Sequence, residues 1–230
     1  VIEVTVPTVS KAQAAEITHQ ALIVVSPALS WGLAGEPGAR SHLYGQALAM
    51  PQREDSIAIV ALSRQGTLTG LALQRALDSS VLYAPGRHLP HDEAGSTSIV
   101  PYDVSIRQVL QEAFARHRAL VCIMAAGVVI RELAPVLRSK QCDPGVVVLD
   151  EAGRHAVSLL SGHLGGGNDL ARQVAGILGG TPMLTTASDV QGLPALDLLG
   201  RQWGWSFESG PALTAAAAAL INGEPVGVFQ

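Results

Sequence analysis

The sequence contains few of the residues that stabilise small secreted domains or bind polyanions. Among its 230 residues are only 2 cysteines. Cys122 lies in an apolar run and Cys142 in a polar loop, so there is neither a CxxC zinc motif nor a disulfide scaffold. Charged residues make up 15% of the chain, with 15 Lys plus Arg against 19 Asp plus Glu. This balance argues against the basic surface that nucleic-acid binding requires.

Long hydrophobic runs are also absent. No segment approaches the roughly 18–20 consecutive apolar residues that a membrane-spanning helix needs, and the first residues lack the basic-then-apolar order of a signal peptide. Hydrophobic residues nevertheless make up 48% of the chain, which is enough for a sizeable core. We therefore expect a folded, soluble protein of the reducing cytoplasm, with no nucleic-acid or membrane partner.

What the sequence does contain is an alternation of short apolar runs with longer stretches of helical spacing. The runs predict strands at Ser56–Leu62, Val81–Ala84, Ala119–Met124, Gly145–Leu149, Ala156–Leu159 and Met183–Thr186. Helices are predicted at Thr67–Leu77, Ser105–Arg116, Val128–Leu137, Asp169–Leu178 and Pro194–Trp203. Because the strand runs are continuously apolar, we expect burial on both faces. The pattern predicts an α/β fold, an open, mostly parallel, doubly wound sheet in three αβα layers, flavodoxin-like or Rossmann-like.

The domain organisation follows from composition and turn residues. Residues 55–205 are predicted to form the α/β domain, and residues 1–54 have no functional interpretation. An alanine-rich helix and a short strand in residues 206–230 predict the start of a middle domain that is cut short. Since the chain begins with Val1 rather than methionine, we expect it to be trimmed or partial.

A glycine-rich loop between a predicted strand and a predicted helix is the densest cluster of unusual residues. Its candidate binding residues are Ser161, Gly162, Gly165, Gly166, Gly167 and Asn168. Glycine amides at a helix N-terminus suit an anion such as phosphate or carboxylate. The loop matches neither the P-loop nor the GxGxxG motif, so phosphate specificity is not indicated. The alternative is a tight turn with Asn168 or Asp169 as the N-cap.

Histidine chemistry is the second indication. His163 lies within the glycine loop and could act as a general acid or base near neutral pH. His88 and His91 have HxxH spacing but no third metal ligand in sequence, so an exposed loop is favoured over a metal site there. Ser161 lacks the GxSxG setting of a nucleophilic serine.

Two further clusters follow predicted strands. Gly127 and Arg131 begin one helix, where the guanidinium could hold a carboxylate; the alternative is an ion pair of Arg131 with Glu132 or another acid. Thr185, Thr186 and Asp189 lie at the end of the last predicted strand and just after it, with a helix cap as the alternative. Because the loops after parallel strands meet at one sheet edge, we expect all three clusters to form one pocket for a ligand carrying several carboxylates.

These motifs resemble one family. The run from Ala125 to Asp197 strongly resembles the N-terminal domain of the CbiG family of cobalamin biosynthesis proteins, the cobalt-precorrin-5A hydrolases. The most specific stretches are Asp143-Pro144, VVLD at 147–150, LLSGHLGG with Asn168, and TPMLTTASD. A weaker similarity begins at IAIVALSR, residues 57–64, so the resemblance covers about residues 55–230.

The resemblance implies an enzyme of the anaerobic route to vitamin B12. Such enzymes open the δ-lactone on ring A of cobalt-precorrin-5A and release acetaldehyde, giving cobalt-precorrin-5B. In that reaction we expect His163 to act as acid or base, the amides of Gly165 to Gly167 to stabilise an oxyanion or carboxylate, and Asp189 to be a second carboxylate. No cofactor or protein metal ligand is expected, since cobalt arrives in the substrate; other cobalamin-pathway enzymes are candidate partners.

Alternatives remain at this point. The chain could be a non-catalytic module that binds or hands over a corrinoid, because members of the family continue through a middle domain into a CobE-like C-terminal domain. A flavodoxin-like mononucleotide binder using the glycine loop is the third possibility. Turnover distinguishes the first two, and nucleotide titration tests the last.

Overall fold

The structure is a computed structural model that describes residues 22–27, 53–93, 96–199, 205–207, 211–224 and 226–229. Most of the predicted segment 1–54 and the end of the predicted helix Pro194–Trp203 lie outside these residues. The chain divides into two compact units. The larger is Gln46–Thr185, and the smaller combines Val1–Gly45 with Thr186–Gln230.

The strands of the described residues are numbered in chain order. They are β1 Leu22–Pro27, β2 Glu54–Ala61, β3 Ser80–Pro85, β4 Ile99–Tyr102, β5 His117–Ile123, β6 Gly145–Leu149, β7 His155–Leu160, β8 Thr181–Met183, β9 Trp205–Phe207 and β10 Gly227–Phe229. Strands β2 to β8 belong to the larger unit, and the other three belong to the smaller one.

The helices of the described residues are numbered in the same way. They are α1 Arg64–Ala76, α2 Ile106–Arg116, α3 Ala126–Leu133, α4 Gly167–Leu178, α5 Ala187–Gln191 and α6 Pro211–Ile221. Short 3₁₀ turns occur at Gly86–His88, His91–Glu93, Ala134–Val136 and Leu196–Leu198. Within the part of the chain that the structure describes, no helix combines the length and apolarity needed to cross a bilayer.

A seven-stranded sheet organises the larger unit, in the order β4-β3-β2-β5-β6-β7-β8. The first five strands in this order, β4, β3, β2, β5 and β6, are mutually parallel. Their order corresponds to 3-2-1-4-5, the Rossmann order rather than the flavodoxin order. The prediction of an open, mostly parallel, three-layer sheet is confirmed.

Both faces of the sheet are buried, as continuous apolarity predicts. On β2, Ile57 and Ile59 face a cluster that includes residues of α1 and α4. The alternate residues Ala58 and Val60 face a second cluster with residues of α2 and α3. All four residues are at most 1% exposed. The strands therefore lie between two helical layers.

Strand β7 runs against the direction of its neighbour β6. The connection, residues 150–154, is too short for the crossover that two parallel strands need. Gly153 in this turn has φ of +71°, and its amide donates to the carbonyl of Asp150 at 2.9 Å. Strand β8 is parallel to β7, so the last two strands of the sheet are both reversed.

Helix ends follow the local sequence. Ser63 caps α1 by accepting a hydrogen bond from the Gly66 amide at 3.1 Å. Helix α4 ends as predicted, because Gly179 adopts the left-handed conformation, φ +69°, that favours glycine.

Two sequence predictions need correction, and one strand was not predicted. The predicted strand Met183–Thr186 is displaced, since β8 ends at Met183. Residues 194–199 contain only a short 3₁₀ turn, Leu196–Leu198, instead of the start of the predicted helix Pro194–Trp203, and no side chain caps this turn. Strand β4 was not predicted, because its Val100 and Pro101 are exposed and the run is short.

The smaller unit contains a three-stranded sheet in the order β10-β1-β9. Strand β1 pairs parallel with β10 and antiparallel with β9. Leu196 and Ala216 are its buried apolar residues among those described. The alanine-rich helix and following strand are present as α6 and β10. Residues 186–199, which the predicted domain 55–205 includes, are grouped with this unit.

Candidate functional site

The five parallel strands of the larger unit end at one edge of the sheet, here called the carboxyl edge. After β2 the chain passes outward to β3 and β4 and then crosses to β5 on the other side. This reversal creates a topological switch point between β2 and β5. In open α/β sheets, ligands bind in the crevice beyond the strand ends at such a point.

A cleft of about 430 Å³ lies at this edge, at the ends of β5 and β6. It is lined by Met124, Ala125, Ala126, Val148, Asp150, Glu151, His155 and Val157, all of them in the larger unit. The lining combines an apolar wall of Met124, Val148 and Val157 with two carboxyls and an imidazole. This combination is typical of a small-molecule site, where apolar walls supply contact area and a few polar groups set orientation.

The β6–β7 turn positions the polar groups of the cleft. Asp150 accepts hydrogen bonds from the amides of His155 at 2.6 Å and Ala152 at 3.0 Å. The Nδ1 atom of His155 lies 3.3 Å from Asp150 Oδ2. Burial acts to raise the pKa of the Asp150 carboxyl, but backbone hydrogen bonds from the amides of residues 152, 154 and 155 outweigh it and lower the pKa below its ordinary value. Asp150 is therefore an ionised, fixed carboxylate.

The same turn is attached to helix α1. The Ser63 hydroxyl donates to Glu151 Oε1, and the Thr69 hydroxyl donates to the Glu151 carbonyl at 2.6 Å. Ser63 thus connects the first loop of the sheet with the β6–β7 turn. These contacts hold Glu151 at the rim of the cleft.

Gly127 and Arg131 adjoin the cleft because helix α3 begins with the lining residue Ala126. Arg131 Nη1 donates to the Gly127 carbonyl at 3.0 Å, and the side chain is exposed. The alternative pairing with Glu132 is wrong, since Glu132 accepts from Arg107 at 2.6 Å. Within the described residues Arg131 makes no ion pair, so its guanidinium is available to a carboxylate of a ligand.

The glycine loop lies at the opposite end of the sheet. It follows β7, whose carboxyl end lies beside the start of β6, and the Gly145 amide donates to the Gly165 carbonyl at 3.1 Å. The prediction that this loop shares a pocket with Gly127 and Arg131 is therefore wrong. The physical reason is the reversal of β7, which sends the loop to the amino edge of the parallel strands.

Amides of the glycine loop are used within the loop itself. The Gly166 amide donates to the His163 carbonyl at 2.9 Å, and the Gly167 amide donates to the Ser161 carbonyl at 3.1 Å. Of the amides of Gly165 to Gly167, predicted to donate to an oxyanion or carboxylate, those of Gly166 and Gly167 are therefore engaged within the loop, and the predicted role stays a prediction. The alternative N-cap role of Asn168 is wrong, because Gly166 occupies the N-cap position with φ of +75°.

The remaining predicted residues of the loop are partly or fully buried. Asn168 is 3% exposed, and its backbone amide donates to the backbone carbonyl of Gly162 at 2.9 Å. Ser161 adopts φ of +50°, which is uncommon for a residue with a side chain. His163 is half-buried, and its role as an acid or base stays a prediction.

The third predicted cluster is divided between the two units. Thr185 is the last residue of the larger unit and is exposed. Thr186 and Asp189 belong to the smaller unit, where the Thr186 hydroxyl donates to Asp189 Oδ2 at 2.7 Å. Their roles in binding and catalysis stay predictions.

No group of three or more histidine, cysteine or acidic side chains suited to a metal ion occurs among the described residues. His88 and His91 lie in successive 3₁₀ turns.

Sequence reasoning missed the polar groups of the cleft, although one signal was present. Asp150 directly follows the apolar run Gly145–Leu149, and a glycine three residues later predicts a tight turn that returns His155 to it. A hairpin prediction for this stretch would have given β7 the direction opposite to β6. It would also have placed the glycine loop away from the carboxyl edge.

The fold and cleft define a Rossmann-ordered α/β protein with a small-molecule crevice beside its switch point. Residues 108–189 match the family model described as cobalamin synthesis G N-terminal, and residues 194–230 match the cobalamin biosynthesis central region. The chain belongs to the CbiG family of cobalamin biosynthesis proteins.

Named relatives agree with this assignment. The cobalt-precorrin-5A hydrolase of Priestia megaterium is 37% identical over 186 residues, which cover 81% of this chain and 49% of that protein. The cobalt-precorrin-5A hydrolase of Salmonella typhimurium is 39% identical over 150 residues, covering 65% and 41%. The chain spans about half the length of the curated relatives it matches.

A solved structure is also similar. It is the crystal structure of a cobalamin biosynthesis protein G homolog from Sulfolobus solfataricus, with 27% sequence identity and a TM-score of 0.42. The match covers 56% of this chain and 36% of that one.

Proposed function

We propose that this chain is part of a cobalt-precorrin-5A hydrolase and that its carboxyl-edge cleft binds the edge of the macrocycle. The observation that carries the proposal is the 37% identity to a hydrolase of that name over 186 residues. The cleft of about 430 Å³ falls within the size range of small-ligand sites. It accommodates one part of a tetrapyrrole rather than the whole.

The proposed reaction has two steps. Water adds to the lactone carbonyl and the acyl–oxygen bond breaks, leaving a carboxylate and a hydroxyl on the two-carbon unit. The hydroxyl then loses its proton as the carbon–carbon bond breaks. The bond's electron pair stays with the macrocycle, which takes up a proton, and the two-carbon unit leaves as acetaldehyde.

The charges of the cleft suggest separate roles for its groups. The exposed guanidinium of Arg131 is suited to a peripheral carboxylate of the substrate. Asp150 is held ionised by backbone amides, which makes it a weak base. Glu151, fixed by Ser63, is then the candidate to take a proton from the attacking water.

The glycine loop is the competing location for the chemistry. His163 is separated from the cleft by the length of β6, roughly 17 Å for five residues of extended chain. A general base must lie within hydrogen-bond reach of the proton it removes. For substrate bound in the cleft, Glu151 therefore fits this requirement and His163 does not.

The test is acetaldehyde release from cobalt-precorrin-5A by the purified chain, followed by a coupled alcohol dehydrogenase assay. We expect Glu151→Gln to lower the rate by about 100-fold, with His163→Ala as the matched variant at the other edge. A loss confined to His163→Ala would move the chemistry to the glycine loop. A corrinoid absorbance shift without acetaldehyde would support the non-catalytic alternative. If neither an absorbance shift nor acetaldehyde is observed, both the hydrolase and the non-catalytic alternative are contradicted.

A further inference from the structure

The imidazole of His155 has no role in the steps proposed above. Its side chain is 53% exposed at the cleft, and its Nδ1 atom faces Asp150 Oδ2 at 3.3 Å. Within the described residues, no hydrogen bond is made by Nε2. The nitrogen opposite the carboxylate is therefore open to a ligand.

The carboxylate beside the ring fixes the tautomer. Both Asp150 oxygens accept hydrogen bonds from backbone amides, and Oδ2 faces Nδ1 of the ring, so the imidazole tautomer that pairs with it carries its proton on Nδ1 and its lone pair on Nε2. A histidine that binds a metal almost always donates its other ring N–H to a carboxylate or carbonyl, which orients the ring and raises its basicity. Asp150 and His155 have this arrangement, and backbone amides hold the carboxylate in place.

The surroundings of His155 are suited to the inner part of a cobalt macrocycle whose edge lies in the same cleft. Met124, Val148 and Val157 form an apolar wall against which the flat face of such a ring can pack. Asp150 and Glu151 add negative charge beside His155, which favours a metal cation. Imidazole nitrogen is a good ligand for divalent metals of the cobalt type.

We propose that His155 binds the cobalt of the corrinoid substrate through Nε2, as an axial ligand held by Asp150. This inference rests on the proposed function, since it takes the ligand to be a cobalt corrinoid. The Nε2 lone pair forms a dative bond to cobalt and replaces a bound water molecule. No proton or electron is transferred in that step.

The experiment is electron paramagnetic resonance of the full chain mixed with cob(II)yrinic acid, a cobalt(II) corrinoid with free carboxylates and no attached base. Coordination by one protein nitrogen splits each cobalt hyperfine line into three. In protein labelled with the heavier nitrogen isotope, each line splits into two. We expect both patterns in the unsubstituted chain.

Variants assign the nitrogen to one residue. We expect the splitting to disappear in His155→Ala and to return when free imidazole is added, whereas His163→Ala keeps it. Asp150→Asn should weaken corrinoid binding by about 10-fold or more. Circular dichroism of each variant confirms that it is folded. His155→Gln keeps a polar side chain without a metal-binding imidazole, so its spectrum should also lack the nitrogen splitting, as in His155→Ala.

The outcomes separate this inference from the proposed function. Corrinoid that binds, by absorbance titration, without nitrogen splitting overturns axial ligation even if acetaldehyde is released. Splitting that persists in His155→Ala also overturns it. Splitting without acetaldehyde release supports axial ligation and contradicts the hydrolase. Absence of corrinoid binding contradicts both.

Discussion

Gly145 has no room for a side chain. A Cβ atom there would lie 2.4 Å from the Gly165 carbonyl oxygen and 2.7 Å from the Gly167 nitrogen, and backbone atoms cannot rotate away as side chains can. We expect Gly145→Ala to lower the free energy of unfolding by about 2–3 kcal/mol, as overpacking does. Urea titration measures the change.

Gly176 provides the control for that substitution. It lies inside α4, and a Cβ atom at this position would have no neighbouring atom within 4 Å. Gly176→Ala should therefore stabilise the protein by about 0.5–1 kcal/mol through helix propensity. Equal effects of the two substitutions would show that the glycine loop is not packed against β6.

His117 makes the stability of the larger unit depend on pH. It is 1% exposed; its Nδ1 lies 2.7 Å from the Ser56 hydroxyl and its Nε2 2.8 Å from the Tyr83 hydroxyl. Burial lowers the pKa of His117 below its ordinary value, opposed by Glu54 and assisted by Arg116. Below about pH 6.5 the unfolded chain therefore binds a proton that the folded chain does not.

The expected result is a fall in the free energy of unfolding as the pH drops through about 6.5, by up to about 1.4 kcal/mol per pH unit. His117→Asn should lack this part of the pH dependence, whatever its overall stability. Urea titrations between about pH 5 and pH 8 measure it. An unchanged slope in the variant would assign the dependence to another group.

Residues of the cleft could be predicted only in part. Gly127 and Arg131, which adjoin the cleft without lining it, were predicted because they follow β5, whose apolar run and following helix are unambiguous; their role in binding stays a prediction. Asp150 and His155 were missed because their importance depends on the direction of β7, which no residue type encodes by itself. Direction is set by the length of the β6–β7 connection, and the glycine loop was misplaced for the same reason.

At the scale of elements, Ser63 at the start of α1 both stabilises that helix and holds the cleft residue Glu151 in place. Ser63 accepts from the Gly66 amide and donates to Glu151. We expect Ser63→Ala to lower the free energy of unfolding by about 1 kcal/mol and also to reduce corrinoid binding, because the β6–β7 turn loses a contact.

Ser105 offers a matched cap. It accepts from the Gln108 amide at a longer distance, 3.4 Å, and lies on an exposed helix end that does not line the cleft. Ser105→Ala should therefore affect stability slightly and leave corrinoid binding unchanged. If both substitutions changed binding equally, the role of Ser63 at the cleft would be contradicted.

Elements with strong local signals could be predicted well. Strands β2, β5 and β6 are continuous apolar runs between turn residues, and α2 begins after a serine cap. Strand β4 gave little signal, since Pro101 and exposed Val100 are atypical of a buried strand. The predicted helix Pro194–Trp203 is wrong over residues 194–199, because apolar spacing alone does not distinguish an α-helix from the short 3₁₀ turn Leu196–Leu198 that forms there.

At the scale of the whole molecule, the larger unit contains everything its core requires. All seven strands of the main sheet and both apolar clusters that cover it lie within residues 46–185. We expect a fragment of residues 46–185 to fold and to unfold cooperatively in urea, as circular dichroism would show. A shorter fragment ending at residue 160 lacks α4 and the buried Ala171 and Val174, so it should not.

Because β7 is reversed, the sheet has two chemically different ends, here called poles. One is the cleft at the carboxyl edge, and the other is the glycine loop at the amino edge. The cleft and the glycine loop are separated by the length of a strand and share no hydrogen-bond partner among the contacts described. Energetic perturbations at the two poles should therefore sum, within about 0.5 kcal/mol, in a double-mutant cycle of Ser63→Ala with Gly145→Ala. Each pole can then be altered by substitution without disturbing the thermodynamics of the other.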